Sequence, residues 1–502
     1  MVESIWARLP DLWFHGTSDS PACALRDILR VNPSAVRSLW TLQFCMLEPR
    51  QFVPAIRVQA APQPSREPMS ALKNIVIKHV VRILTHPATR QWQRTRASVL
   101  RRMKGASAQV HYFHQADDPY SHLCVQLLER LGQGYDVDLL AHLVSPPEDS
   151  AAPDRERLGH WSLRDATLLA QAHGLEAPVA SPDAAVVASA ESSLAASLQA
   201  GRFVVDAAAI SQALWSGQAQ PQSQVQGNSQ ADAQAAKAAG TALRKQLGHY
   251  LGATFFYGGE WYWGIDRLHY LEQRLRDEGL CREPARALLV PVRDIALNGA
   301  PAVHTASKPK AQLHYFCSFR SPYTYIALPR VRQLAEHYGA QLQIRFVLPM
   351  VMRGLAVPRE KGMYIVADVA REAQRVGMPY GFLVDPVGKP VERGYAVLHQ
   401  AMKAGAGLQL AQSFLQGVWA DGIDAGTDSD LYAIAARAGL DKAFVDKALS
   451  DESWRAVAAT NRQELLDMQL WGVPSFRVND LPGYWGQDRL WMVEQDLIDL
   501  KA

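Results

Sequence analysis

The chain of 502 residues is poor in cysteine, with only Cys23, Cys45, Cys124, Cys281 and Cys317. These are odd in number, widely scattered and form no C-x-x-C, which argues against a disulfide framework and against a zinc site. A reducing compartment fits this usage. Long apolar runs are also missing: none approaches the ~18 residues of a membrane-spanning helix. The start shows no basic n-region, apolar core and small-residue cleavage site, so secretion is disfavoured and the cytoplasm is the expected location. Acidic residues are absent between Glu67 and Asp117, where Lys73, Lys78, Arg82, Arg90, Arg94, Arg96, Arg101, Arg102 and Lys104 accumulate. Over the whole chain charge nearly balances, at +3, and the composition is that of about two or three globular domains.

The first clearly amphipathic stretch is basic, from about Ala71 to Arg82. Such a helix can lie on an anionic membrane surface or on nucleic acid. No aromatic residues interleave with its charge, so a docked helix with a solvated charged face is the favoured reading, and no nucleic-acid partner is expected. Residues 1–68 show no sustained period. Residues 216–240, rich in Gln, Ala and Ser with little apolar content, read as a disordered loop.

The most organised stretch is LHYFCSFRSPYTY, Leu313 to Tyr325. An apolar strand there breaks at Ser-Pro and passes into a helix from Pro322 to Tyr338, with Tyr325, Leu328, Val331 and Leu334 on one face. Ser321 becomes the N-cap. Its hydroxyl then sits among unpaired backbone N–H groups at the positive end of the helix dipole, where a thiolate or other anion is favoured. Taken alone, a Ser-Pro of this kind is an ordinary cap.

The chain also repeats itself. VHYFHQADDPYSHL at Val110 aligns with LHYFCSFRSPYTYI at Leu313, and the same offset of 203 residues pairs Asp165 with Asp368 and Gly174 with Gly377. Further on, Gly252-Ala253-Thr254 stands opposite Gly472-Val473-Pro474, and WGIDRL at Trp263 echoes WGQDRL at Trp485. A repeat of this length is a domain pair. The first copy has Asp118 for Ser321, Thr254 for Pro474 and Leu158 for Lys361, and reads as structural.

S-P-Y-T at Ser321, G-V-P-S-F at Gly472 and W-G-Q-D-R-L at Trp485 together resemble the DsbA-like thioredoxin-fold family, and within it the kappa-class glutathione transferases and 2-hydroxychromene-2-carboxylate isomerases. The likeness implies an α/β fold with two tandem thioredoxin-like folds, each carrying a helical insertion. The expected layout is an N-terminal extension (1–105), a degenerate domain (106–283), a linker (284–310) and an intact domain (311–502). S-P-Y-T stands where DsbA has its redox C-x-x-C, and Val473-Pro474 where the family has its cis-proline loop. With Ser321 and Thr324 at both cysteine positions, a dithiol mechanism has no thiols to use.

The resemblance implies instead a glutathione-dependent isomerase or transferase acting on an aromatic or electrophilic small molecule. Glutathione would be the cofactor, its thiolate held by Ser321. Lys361, Val473, Pro474, Gln487 and Asp488 would bind the tripeptide, with Lys361 on the glycyl carboxylate and Gln487-Asp488 at the γ-glutamyl end. Arg320, Tyr323, Thr324 and Trp485 are the candidate substrate pocket. The two repeats are expected to pack as an internal pseudo-dimer, because kappa-class relatives are dimers of one such domain. The alternative is a non-catalytic thioredoxin-fold binding module or a DsbA-family protein without dithiol redox activity.

Overall fold

The computed structural model describes residues 77–217, 227–301, 311–355 and 357–500. The expectations for residues 1–68, and for the start of the basic helix at Ala71, lie outside these. Two helices come first, α1 (77–85) and α2 (Pro87–Met103). Then follow β1 (Gln109–His114), α3 (Pro119–Gly134), β2 (Asp138–Leu143), four helices α4 (Arg155–His173), α5 (Ala184–Gln199), α6 (Phe203–Trp215) and α7 (Gly227–Gln246), a hairpin of β3 (Thr254–Tyr257) and β4 (Glu260–Trp263), and α8 (Leu268–Asp277).

The plan then recurs as β5 (Gln312–Cys317), α9 (Pro322–Tyr338) and β6 (Gln341–Phe346). A helical stretch comes next: α10 (Arg359–Arg375), α11 (Lys389–Lys403), α12 (Gly407–Trp419), α13 (Asp428–Arg437), α14 (Lys442–Leu449) and α15 (Trp454–Asp467). The hairpin of β7 (Ser475–Val478) and β8 (Tyr484–Trp485) and the helix α16 (Leu490–Asp499) end the described chain.

The sheets have matching strand orders, β2-β1-β3-β4 and β6-β5-β7-β8. In each, one parallel pair is flanked by antiparallel partners, an α/β thioredoxin-like arrangement that fits two domains. A parallel pair needs a crossover, which α3 and α9 supply. β5 is a central strand, and Leu313 to Cys317 are all buried. α9 starts at the Ser321 cap, carries Pro322 in its first turn, stops at Gly339 in the left-handed region, and buries the expected stripe of Tyr325, Leu328, Val331 and Leu334.

Two expectations are overturned. Residues 227–246, within and beyond the stretch read as disordered, form α7. This helix docks through small residues: Ala233 is 1% exposed, and a Cβ at Gly240 would stand 2.1 Å from the Leu143 carbonyl oxygen of β2. The hydropathy of alanine and glycine underrates such packing, which buries backbone and not large side chains. The basic segment is the second case. α1 is docked as expected, with Val81 against the core and Arg82 exposed, but Lys78 turns inward and α2 docks by its charged face. Arg94 makes a bidentate pair with Glu260 at 2.6 and 2.8 Å, Arg101 reaches Glu278, Lys78 donates to the Gly422 carbonyl, and Lys78 and Arg82 lie over the Phe382 ring.

The linker is packed against both halves. Leu289 and Val290 are buried, and the N–H of Leu289 donates to Glu272. Asp294 pairs with Arg330 and Arg375, and the N–H groups of Ala296 and Leu297 donate to Glu494.

Buried ions cross between the halves in a matched pattern. Arg267 of the first half pairs with Asp368 at 2.9 Å and Asp488 at 3.0 Å. Arg489 of the second pairs with Asp165 at 2.6 Å and Asp266 at 2.9 Å. Tyr120 donates to Asp165 and Tyr323 to Asp368, again in corresponding places. Tyr120 and Tyr323 each follow the proline that opens a helix, and Arg267 and Arg489 each stand in a W-G-x-D-R-L string, so the two sets of contacts use like residues in like places.

Candidate functional site

β5 delivers the chain to a tight turn, closed by the Ser321 N–H donating to the Ser318 carbonyl at 2.9 Å, and α9 begins there. The Ser321 hydroxyl accepts from the Thr324 N–H at 3.2 Å and donates to the Val473 carbonyl at 3.3 Å. Residues about 150 apart in sequence are thereby joined, a helix N-terminus facing the loop that enters β7. Val473–Pro474 is a cis peptide bond, the one such bond among the described residues.

The loop is held from behind. The Gly486 N–H donates to the Pro474 carbonyl at 2.9 Å, and the Ser475 hydroxyl to the Gly472 carbonyl at 2.9 Å. Gly472 lies directly on Trp485, whose indole would be 2.0 Å from an added Cβ, and Trp485 meets Trp471 edge to face at 5.0 Å. Around Ser321, Thr324 is fully buried and accepts from the Ser318 N–H, Tyr323 donates to Asp368 at 2.7 Å, and Arg320 forms a bidentate pair with Asp385. Cys317 is buried, and burial pushes its thiol far above the usual range.

Lys361, near the start of α10, is brought to the same loop. Its ammonium donates to the Ala151 carbonyl of the first half at 2.7 Å, and it sits 5.8 Å from the Trp471 ring centre and 6.0 Å from that of Tyr250. Burial lowers it to about 8. Three further donors around it were not singled out from the sequence. The Tyr364 hydroxyl, the Trp471 indole N–H and His249 Nε2 are buried without a hydrogen-bond partner. The Leu251 N–H donates to His249 Nδ1 and leaves the ring hydrogen on Nε2, and the His249 ring meets Tyr364 edge to face at 4.6 Å. Tyr364 follows Lys361 by three residues on one helix face, a spacing the sequence does offer. His249, Tyr250 and Ala151 belong to the half read as structural, and carried no signal.

Gln487 and Asp488 are placed in the charge network between the halves. Gln487 is 1% exposed, accepts from Arg330 and donates to Glu372 at 3.0 Å. Asp488 is held by Arg267, and burial pushes its carboxyl up to about 6 against the pull of that guanidinium. A path of contacts links them to the Ser321 turn: Tyr323 to Asp368, Asp368 to Arg267, Arg267 to Asp488. A crevice of ≈ 400 Å³, counting its open mouth, runs beside Asp488, Asp266, Arg267 and Trp491; Ser321, Lys361 and Val473 do not line it. Among the described residues, no three His, Cys, Asp or Glu side chains could hold a metal, and no helix is long and apolar enough to cross a membrane.

Residues 312–498 match the family model of the DSBA-like thioredoxin domain. The second half is a DSBA-like thioredoxin domain. It is 25% identical over 193 residues to a 2-hydroxychromene-2-carboxylate isomerase of Pseudomonas putida, covering 36% of this chain and 91% of that one. A solved 2-hydroxychromene-2-carboxylate isomerase is 23% identical, with 38% of this chain and 95% of that one covered and a TM-score of 0.33. The cytosolic disulfide reductase DsbM of Pseudomonas aeruginosa, solved with GSH, is 20% identical over 38% of this chain and 97% of its own, with a TM-score of 0.31. At the start of α9 this domain has Ser321-Pro322-Tyr323-Thr324, with no cysteine among them.

Proposed function

We propose that the DSBA-like domain is the catalytic unit of a glutathione-dependent isomerase or transferase acting on an aromatic or otherwise electrophilic small molecule, and that the first half packs on it as the second member of an internal pseudo-dimer. The observation that carries the reading is the Ser321 hydroxyl, set at a helix N-terminus and hydrogen-bonded across to the Val473 carbonyl. Such a group favours an anion through the dipole and donates to it through the hydroxyl. Dithiol chemistry needs one cysteine to attack and another to resolve, and Cys317 is single, buried and held protonated.

The residues fit an acceptor-rich ligand. Lys361 has no carboxylate partner among the described residues, and the Tyr364 and Trp471 donors beside it are unpaired. Glutathione, with two carboxylates and two peptide carbonyls, supplies such acceptors; when bound it brings a thiol able to act as nucleophile. Ser321 would hold the sulfur as thiolate, the Val473–Pro474 backbone would pair with the tripeptide, and Lys361 would take the glycyl carboxylate. Asp488 would share its charge between Arg267 and the γ-glutamyl amine, beside Gln487. Tyr323, Trp485 and Arg320 would flank the electrophile, while Thr324, expected beside them, is fully buried and braces the turn from within.

The first half offers no equivalent. Asp118 caps α3 and accepts from the N–H groups of Tyr120 and Ser121 and from the Ser121 hydroxyl, so a carboxylate already fills the anion position. The test is the thiol of bound glutathione, titrated by thiolate absorbance in the wild type and in Ser321→Ala. The wild type should hold the thiol at least about one pKa unit lower, as expected for loss of a charge-assisted hydrogen bond. Coincident curves, or no glutathione binding by calorimetry, would sink the proposal.

A further inference from the structure

α2 is an amphipathic helix mounted the wrong way round. A surface helix ordinarily turns its apolar stripe to the core and its charges to water. In α2, Arg90, Arg94 and Arg101 form the docked face, bonding Gln374, Glu260 and Glu278. Trp92, Val99 and Met103, at spacings of seven and four residues, project from the opposite side and are 52%, 48% and 78% exposed. No residue of α2 is buried. α1 shares this only in part: Lys78 donates to the Gly422 carbonyl, Thr85 is buried and Val81 packs on the core, while Arg82 and the apolar Ile77, Val80 and Leu84 are exposed.

The charge that the two helices themselves carry is of one sign. No acidic residue lies between Glu67 and Asp117, and Arg96, stacked 5.6 Å over Trp92, sits within the outward stripe itself. A second copy of the chain would bring Arg96 and the neighbouring cations against their own images. Residues 1–76 carry eight bases against six acids, so they offer no net negative charge to match it. An apolar stripe with Trp near one end, set in cations and too polar overall to cross a bilayer, is the composition of a helix that lies in the plane of an anionic lipid surface.

We infer that the α1–α2 pair is a peripheral membrane-docking surface that seats Trp92, Val99 and Met103 among the acyl chains of anionic lipids while Arg96 and Lys104 meet the headgroups. α2 is anchored to the body by the Arg94–Glu260 and Arg101–Glu278 ion pairs, and α1 by the Lys78 hydrogen bond and its contact with Phe382, so the whole molecule is carried to the surface.

Flotation of the full chain with vesicles of phosphatidylcholine alone, and with about a third phosphatidylserine, tests this. The chain should float with the anionic vesicles, weakly or not at all with the neutral ones, and binding should fall steeply between low and high salt. The double variant Trp92→Ser, Met103→Ser should lose about tenfold or more in partitioning, since each removes apolar area from the buried stripe. Its thermal unfolding should match the wild type, because both side chains are exposed. Equal flotation of variant and wild type overturns the inference, as does absence of flotation with either vesicle. So does a wild type that sediments as a dimer which the variant makes monomeric, or lipid binding that appears only after residues 1–68 are removed, since the face is then covered by a second copy or by the chain's own N-terminus.

Discussion

Lys361 holds a positive charge in a place that gives it one carbonyl and two aromatic faces. Cation–π contact and one hydrogen bond replace only part of the lost hydration, and burial accordingly lowers the group to about 8 from an ordinary 10.5. Between those two values the unfolded chain keeps a proton on Lys361 that the folded chain has released. Stability therefore rises with pH across that window, and at neutral pH the buried ammonium is a cost. Lys361→Met should unfold at higher urea than the wild type at pH 7, and the difference should shrink as pH climbs from about 8 to 10.5. Curves of unfolding free energy against pH that stay parallel through this window would show that Lys361 is solvated. A residue kept at such a cost is one whose charge is used, and the unpaired Tyr364 and Trp471 donors nearby point the same way. Tyr364→Phe isolates that point. Removing an unsatisfied hydroxyl should leave thermal stability unchanged or slightly raised while weakening glutathione binding, and equal calorimetric affinity would separate Tyr364 from the site.

At the level of elements, α7 shows where reading the sequence stops. Its docking on β2 depends on Gly240, where any side chain meets the Leu143 carbonyl. Gly240→Ala gains about 1 kcal/mol of helix propensity but forces a backbone shift that ordinarily costs about 1 to 3 kcal/mol. A net loss follows, and a fall in the melting temperature by calorimetry checks it; an unchanged or raised value would mean that α7 is not packed on the sheet. Helix α9 was legible to the residue, because a capped helix announces both ends by Ser-Pro and Gly. α7 was not, since Ala, Gln and Ser pack by closeness and carry no hydrophobic stripe. The orientation of α1 and α2 was illegible for another reason. Charge patterning reports which faces differ, and the partners that decide which face turns inward, Glu260, Glu278 and Phe382, lie far along the chain. At the site, Ser321, Val473 and Pro474 converge as the family resemblance implied, whereas His249 and Tyr250 enter from the other half and had no motif to mark them.

For the whole molecule, the crossed ion pairs carry the consequence. Arg489 stands to Asp165 and Asp266 as Arg267 stands to Asp368 and Asp488, the reciprocity that the proposed pseudo-dimer requires. Burial alone would raise Asp368; the Arg267 and Arg371 guanidiniums outweigh it and hold the carboxyl far below its usual range. Removing one partner of such a pair leaves a buried charge uncompensated, at about 3 to 5 kcal/mol. Residues 305–502 expressed alone lose Arg267 in this way. They also carry its replacement, because Arg489, freed from Asp165 and Asp266, is the matching guanidinium for Asp368 and Asp488 of a second copy. The fragment should therefore form a homodimer at micromolar concentration, seen by sedimentation equilibrium, and Arg489→Met should abolish the dimer and leave a less stable or aggregating monomer. A fragment that is monomeric, and as stable and as tight for glutathione as the full chain, would mean that the first half gives the second no support, and the pseudo-dimer reading would fail.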